Sequence, residues 1–263
     1  MKNIVKSEFS CTREGLVIRG VQYKPAGENL PVAIVCHGFM ANKETVRHYT
    51  KALAKAGFAA FCFDFCGGCV VGGRSDGKTD EMSVLTEVRD LEAVLSYVRS
   101  LPFTDSDRVL LMGCSQGGFV SALTAAKKEN KIHSLVLFYP AFCIPDDARK
   151  GQMMFAKFDP ANVPETFYCG PMKLGKCYVQ DVLPLEPFAQ IAPFDGDVLL
   201  VHGTRDAIVN ISYAEKANET YRNRANGSVQ YEIIKNGTHS FIAHHDAKAI
   251  EYLMQFAEKL RGA

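Results

Sequence analysis

The side chains best suited to chemistry are Ser115, Asp206 and His239, in that chain order. Ser115 lies within "LLMGCSQGGFVSA" (110–122), where an apolar run gives way to small residues and then to helical spacing. A strand, a G-x-S-x-G turn and a helix together hold a serine hydroxyl exposed above the carboxyl end of a sheet. The turn is sharp, so its neighbours must be small, which accounts for Gly113, Gly117 and Gly118. A helix beginning at Gln116 aims free N–H groups at the same point, and that field favours a developing oxyanion. The alternative is a glycine-rich turn that packs helix on sheet, with Ser115 as a helix N-cap.

A serine nucleophile needs a base, and the base needs an orienting carboxylate. His239, in "IIKNGTHSF", follows the last strand expected from the pattern and precedes the last helix. His37, His48, His133 and His202 precede the acid in the chain, and His244 and His245 open the final helix. Asp206 lies in the loop after the strand "DVLLVHG" (197–203), whereas Asp195 and Asp197 fall at that strand's other end. Asp64 also ends a strand and is the alternative acid. An oxyanion hole needs two backbone donors. Gln116 supplies one, and "CHGFMANK" supplies the other at Phe39, after Gly38 lets the chain turn. His37 reads as structural.

Other groupings are weaker. "CGGC" (66–69) lacks the second pair that a zinc site wants and does not open a helix as a redox pair would. It reads as a tight loop near the mouth of the site. "GGRSDG" (72–77) lacks the lysine of a phosphate loop, and "HHD" (244–246) is a sparse metal set. No metal or cofactor is expected.

These residues must be held by strands and helices. Residues 31–38, 58–65, 108–113, 134–140, 197–203 and 228–235 read as strands, and 14–24 as a strand or hairpin arm. Residues 43–57, 81–100, 116–128, 212–226 and 247–261 read as helices. The clearest stripe is Val84, Leu85, Val88, Leu91, Val94, Leu95 and Val98. The alternation implies crossover connections and a mostly parallel central sheet with helices on both faces. It stops over 141–190, which holds six of the eleven prolines and seven aromatics. That segment reads as an insertion into one domain, with 1–140 plus 191–263 as the core. A chain of 263 residues, 47% hydrophobic, can fill such a core. The formal net charge of +1 gives no electrostatic case for nucleic acid or an anionic membrane. No stretch is long and apolar enough to span a bilayer, and the N-terminus lacks the apolar core of a signal peptide. Nine cysteines without an export signal point to the reducing cytoplasm.

The chain resembles the α/β-hydrolase fold over nearly its full length. "HGF", "GCSQGG", "HGTRDAIV", "GTHSF" and "EMSVLTEVRDLEAV" together resemble the bacterial cinnamoyl/feruloyl esterase group. That resemblance implies a triad of Ser115, Asp206 and His239 and makes 141–190 a lid. It also implies that Asp147, with Asp146 competing beside it, and Tyr178 contact hydroxyls on a phenolic ring. The sequence departs from the group at "CGGCVVGGRSDG" (66–77), which is longer and richer in cysteine. The expected activity is serine hydrolysis of small aryl or hydroxycinnamoyl esters through an acyl-enzyme. General carboxylesterase, small serine peptidase or acyl-peptide hydrolase, and a degenerate ligand receptor are the rivals. Expected partners are a small-molecule ester and, at most, a second copy of the chain.

Overall fold

The computed structural model describes residues 3–262. The first elements are β1 (Ile4–Arg13), β2 (Leu16–Pro25), β3 (Leu30–Cys36), α1 (Lys43–Lys55), β4 (Ala59–Phe63), α2 (Val84–Arg99), β5 (Thr104–Cys114), α3 (Gln116–Ala126) and β6 (Ser134–Phe138). An inserted segment follows, with α4 (Ile144–Arg149), β7 (Gln152–Met153), β8 (Ala156–Lys157), β9 (Thr166–Cys169), β10 (Met172–Gly175), α5 (Lys176–Val182) and α6 (Pro187–Ile191). The chain returns through β11 (Asp197–Gly203), α7 (Ser212–Arg222), β12 (Val229–Ile234) and α8 (His244–Gly262).

Eight strands form one sheet in the order β1-β2-β4-β3-β5-β6-β11-β12. β1 pairs antiparallel with β2, and β2 antiparallel with β4; the remaining pairs are parallel. β3, β4 and β6 are buried along their whole length, as parallel strands covered on both faces must be. Their residues alternate between two cores. Val32, Ile34 and Cys36 join the side packed by α2, α3 and α7, and Ala33 and Val35 join the side packed by α1 and α8. The α2 stripe is buried except for the partly exposed Leu85.

Register decides where the loops gather. Cys36 pairs with Gly113, Cys114 with Phe138, and Gly203 with Ile234. The carboxyl ends of β3, β5, β6, β11 and β12 therefore share one edge, and the loops after them meet there.

Several element boundaries differ from the sequence reading. β1 is a full strand although its N-terminal segment shows little apolar alternation. It is an edge strand, largely exposed, and hairpin pairing with β2 sets it rather than burial. α2 starts at Val84 and not at residue 81, because Ser83 caps it in a reciprocal box with Thr86. α7 ends at Arg222, and Gly227 turns the chain with a φ of +74°. α8 starts three residues earlier than expected.

Candidate active site

Ser115 links β5 to α3 with φ 54° and ψ −122°. A non-glycine residue in this region is strained by about 1–3 kcal/mol and persists only where its surroundings over-determine it. They do so here. The Ser115 N–H donates to Phe138 O at 3.0 Å, and its carbonyl accepts from Gly118 N at 2.9 Å and Ala141 N at 3.0 Å. The glycines are required by contact: a Cβ on Gly113 would lie 2.1 Å from Gly117 O, and one on Gly117 would lie 2.2 Å from His37 O. Ser115 holds the N-cap position of α3, yet its side chain makes no capping bond. Its Oγ lies instead 3.0 Å from His239 Nε2.

His239 Nδ1 lies 2.8 Å from Asp206 Oδ2. The other Asp206 oxygen accepts from the amides of Ile208 and Val209, both at 2.9 Å. Burial alone would raise the Asp206 carboxyl; hydrogen bonds from His202 and His239 outweigh it and hold the group well below the usual carboxylate range. An ionised carboxylate only accepts, so His239 Nδ1 carries the proton and Nε2 is free to accept from the Ser115 hydroxyl.

His202 is a second histidine against Asp206. It is fully buried, its Nε2 lies 3.0 Å from Val209 O and 3.3 Å from Asp206 Oδ2, and its Nδ1 has no partner among the described residues. Position 202 is the last but one of a buried strand, four residues before the acid, so it faces the same turn. Chain order alone had set it aside.

Phe39 and Gln116 flank Ser115, and neither backbone amide donates to a protein acceptor among the described residues. A Cβ on Gly38 would approach Ser115 Cβ to 3.1 Å, so the chain before Phe39 passes close to the serine. The Gln116 side chain is locked at both ends. Its Nε2 donates to Glu87 Oε2 at 2.8 Å, and its Oε1 accepts from the Tyr178 hydroxyl. All three side chains are buried. Burial holds the Glu87 carboxyl well above the usual range, against the lowering effect of the Gln116 hydrogen bond. Glu87 was missed as a site residue, yet its signal was available: it lies on the apolar stripe, three residues after Val84 and four before Leu91.

Two cavities meet at Ser115. The first, of about 370 Å³, lies under the inserted segment and is lined by Cys143, Ile144, Met153 and Phe155 together with Asp147 and Tyr178. Asp146, the neighbour of Asp147, is engaged elsewhere, by Arg149 at 3.0 Å and the Tyr213 hydroxyl at 2.8 Å. Burial pushes the Asp147 carboxyl up. Tyr178 donates its proton to Gln116, so its oxygen faces any ligand as an acceptor. The second cavity, of about 360 Å³, lies on the α1 side and includes His239 in its wall.

Asp64 is taken by other partners. It accepts from Lys43 N at 2.8 Å, Lys43 Nζ at 2.5 Å and Arg74 N at 2.9 Å, a buried anchor for the start of α1. His37 Nδ1 donates to Gly38 O at 2.8 Å, its Nε2 accepts from Phe65 N at 3.1 Å, and burial lowers its basicity. Burial pushes the Cys66 thiol up to about 12, which makes it a poor nucleophile or ligand. The Cys114 side chain is buried in the core under α1 and α8. Among the described residues, no group of His, Cys, Asp and Glu is arranged to hold a metal, and no helix is long and apolar enough to cross a membrane.

A family model described as "Serine aminopeptidase, S33" matches residues 27–173, a span that includes Ser115. Among solved structures, Est1E from Butyrivibrio proteoclasticus with ferulic acid bound superimposes with a TM-score of 0.88 at 25% identity, over 97% of this chain and 100% of that one. DcsB in complex with its substrate analogue has a TM-score of 0.75 at 20% identity, over 98% and 100% of the two chains, a likeness of fold. An uncharacterized 31.7 kDa protein in the traX-finO intergenic region of Escherichia coli is 28% identical over 107 residues. That match spans 40% of this chain and only 36% of the relative.

Proposed function

Because the chain belongs to the serine aminopeptidase S33 family of α/β-hydrolases, we propose that it is a serine carboxylic-ester hydrolase working through an acyl-enzyme. The observation that carries this reading is the line from Ser115 Oγ to His239 (3.0 Å) to Asp206 (2.8 Å) at a strained turn open to a cavity. Ser115 Oγ attacks the ester carbonyl while His239 Nε2 takes its proton. The Phe39 and Gln116 amides, which donate to no protein acceptor among the described residues, receive the oxyanion. As the tetrahedral centre collapses, the imidazolium returns its proton to the leaving alcohol. Water then repeats the sequence on the acyl-enzyme and frees the acid. Asp206 stays ionised throughout, fixing the tautomer and stabilising the imidazolium.

The acid half of the substrate is a small aryl or hydroxycinnamoyl group. Supporting this are a largely apolar cavity whose lining includes the polar side chains of Asp147, Gln152 and Tyr178, and the ferulic acid bound by Est1E. Residues 141–190 act as the lid that shapes that cavity. The family description favours a second reading, an aminopeptidase. An aminopeptidase must hold a free ammonium, and Asp147 in the cavity lining is the carboxyl group placed to do so. All nine cysteines are free, which fits a reducing compartment such as the cytoplasm.

The test is a panel of p-nitrophenyl and methyl esters of aryl, cinnamoyl and alkyl acids beside aminoacyl p-nitroanilides, in the presence and absence of EDTA. The reading predicts ester turnover that EDTA does not change. Faster cleavage of the anilides than of every ester would favour the peptidase.

A further inference from the structure

We propose that His202 is a positioning residue for the acid of the triad: it holds the Asp206 carboxylate, and the turn behind it, in the orientation that serves His239. The inference rests on the acyl-enzyme reading above and adds a further side chain to it. The Asp206 side chain has no exposed surface. An ionised carboxylate offers about four acceptor sites, and where water does not reach them the protein must fill them. Oδ1 accepts from the amides of Ile208 and Val209, both at 2.9 Å. Oδ2 accepts from His239 Nδ1 at 2.8 Å, and His202 Nε2 stands 3.3 Å from the same oxygen. His202 Nε2 also lies 3.0 Å from Val209 O. A carbonyl and an ionised carboxylate both only accept, so His202 Nε2 carries a proton and donates it.

One N–H thus reaches both ends of the turn 206–209. Ala207, Ile208 and Val209 of that turn line the cavity under the inserted segment. Arg205, just before it, donates to Gly237 O at 2.8 Å, in the loop that carries His239. The anchor itself stands on β11, buried from Val198 to Gly203. A donor near Oδ2 draws charge off the oxygen that His239 also uses. Oδ1 stays held by two amides without it, so the carboxylate keeps its place and its hold on the imidazolium strengthens. His239 then keeps its proton to higher pH. The lost tie at Val209 O loosens the turn and costs rate at every pH. Against Asp206 and His239 stand two other titratable groups, Cys143 from the start of α4 and Tyr139 from the end of β6. Burial raises both, so neither ionises while His239 titrates. Asp147 and His48, in the walls of the two cavities, are common to every variant below.

The test uses His202→Leu, His202→Gln and His202→Asn with p-nitrophenyl cinnamate, beside an NMR titration of the His239 ring. His202→Leu should lower kcat about threefold on the alkaline plateau with KM within about twofold. It should also raise the His239 midpoint by about half a pH unit, so that the loss reaches about tenfold on the acid limb. The amide nitrogen of glutamine reaches the place of Nε2, and His202→Gln should bring both readings back. That of asparagine falls near Nδ1, which has no partner among the described residues, and His202→Asn should not. A midpoint unmoved in His202→Leu or, where that variant does not fold, equal in His202→Gln and His202→Asn would overturn the proposal. So would a lower kcat with an unmoved midpoint, the mark of packing alone. The titration needs no substrate. A wild type that turns over no ester would therefore sink the acyl-enzyme reading, while a moved midpoint would still uphold the hold of His202 on Asp206.

Discussion

The parallel core and the inserted segment solve different problems by different means. In the core, long apolar strands fix register, register fixes the sheet's carboxyl edge, and that edge brings three loops together at Ser115. The geometry there tolerates almost no change, as the 2.1 and 2.2 Å approaches at Gly113 and Gly117 show. The inserted segment has helices of five to seven residues and strands of two to four. Such elements are too short to hold themselves. Contacts hold them: Arg149 donates to the carbonyls of Leu183 and Leu185 and to Glu186, and Asp181 accepts from Ser83 of the core. On the proposed reading, the rigid edge carries the chemistry common to every ester, and the contact-held segment selects among esters.

The largest effect should come from the core. Ser115→Ala or His239→Ala should lower kcat/KM by about 10³-fold or more for every ester, and the double variant should lose little further, since the groups act as one unit. A loss confined to some esters would break the division. Substitutions in the inserted segment should change ratios instead. In Asp147→Asn and Tyr178→Phe, the preference for a hydroxycinnamate over plain cinnamate should fall by about tenfold, because the wild-type pocket leaves polar groups unpaired without the ring hydroxyl. Tyr178→Phe also removes the hydrogen bond to Gln116, so its kcat should drop for both substrates while that of Asp147→Asn does not. A preference near one in the wild type would make the protein a general carboxylesterase.

Glu87 joins the two regions and gives the smallest effect, read as stability against pH. Burial raises its carboxyl well above the unfolded value of about 4.3. The folded state therefore keeps a proton that the unfolded state has lost, so the stability Glu87 contributes is complete below about pH 4.3 and declines as pH rises towards the folded value. Each pH unit in that window costs at most about 1.4 kcal/mol from this group. Glu87→Gln keeps an acceptor for Gln116 and stays neutral, so its denaturation midpoint should fall less steeply from pH 5 to pH 8. Parallel wild-type and variant curves would show that Glu87 is ionised in the fold.

The same contrast sets what could be read from sequence. Apolar runs ending in glycine, and a Ser–Asp–His order with each member after a strand, were legible because the core's burial pattern repeats along the chain. The order also marked Asp206 over Asp64, and the structure brings Asp206 to His239 while Lys43 holds Asp64. β1 was not legible, because an exposed edge strand carries little burial pattern. The folding of 141–190 was not legible either, since its partners lie far along the chain. Spacing could have found Glu87, but a carboxylate on a helix is ordinarily solvated, and only the packed structure shows Gln116 and Tyr178 waiting beside it.

The central claim is that Ser115 becomes covalently acylated. It is tested most directly by mixing the protein with p-nitrophenyl cinnamate, quenching in acid within the first turnovers, and mapping the adduct by peptide mass. The account predicts a cinnamoyl group on the peptide that contains Ser115, and none in Ser115→Ala. An adduct on another residue, or turnover that survives Ser115→Ala with no adduct in either protein, would contradict it.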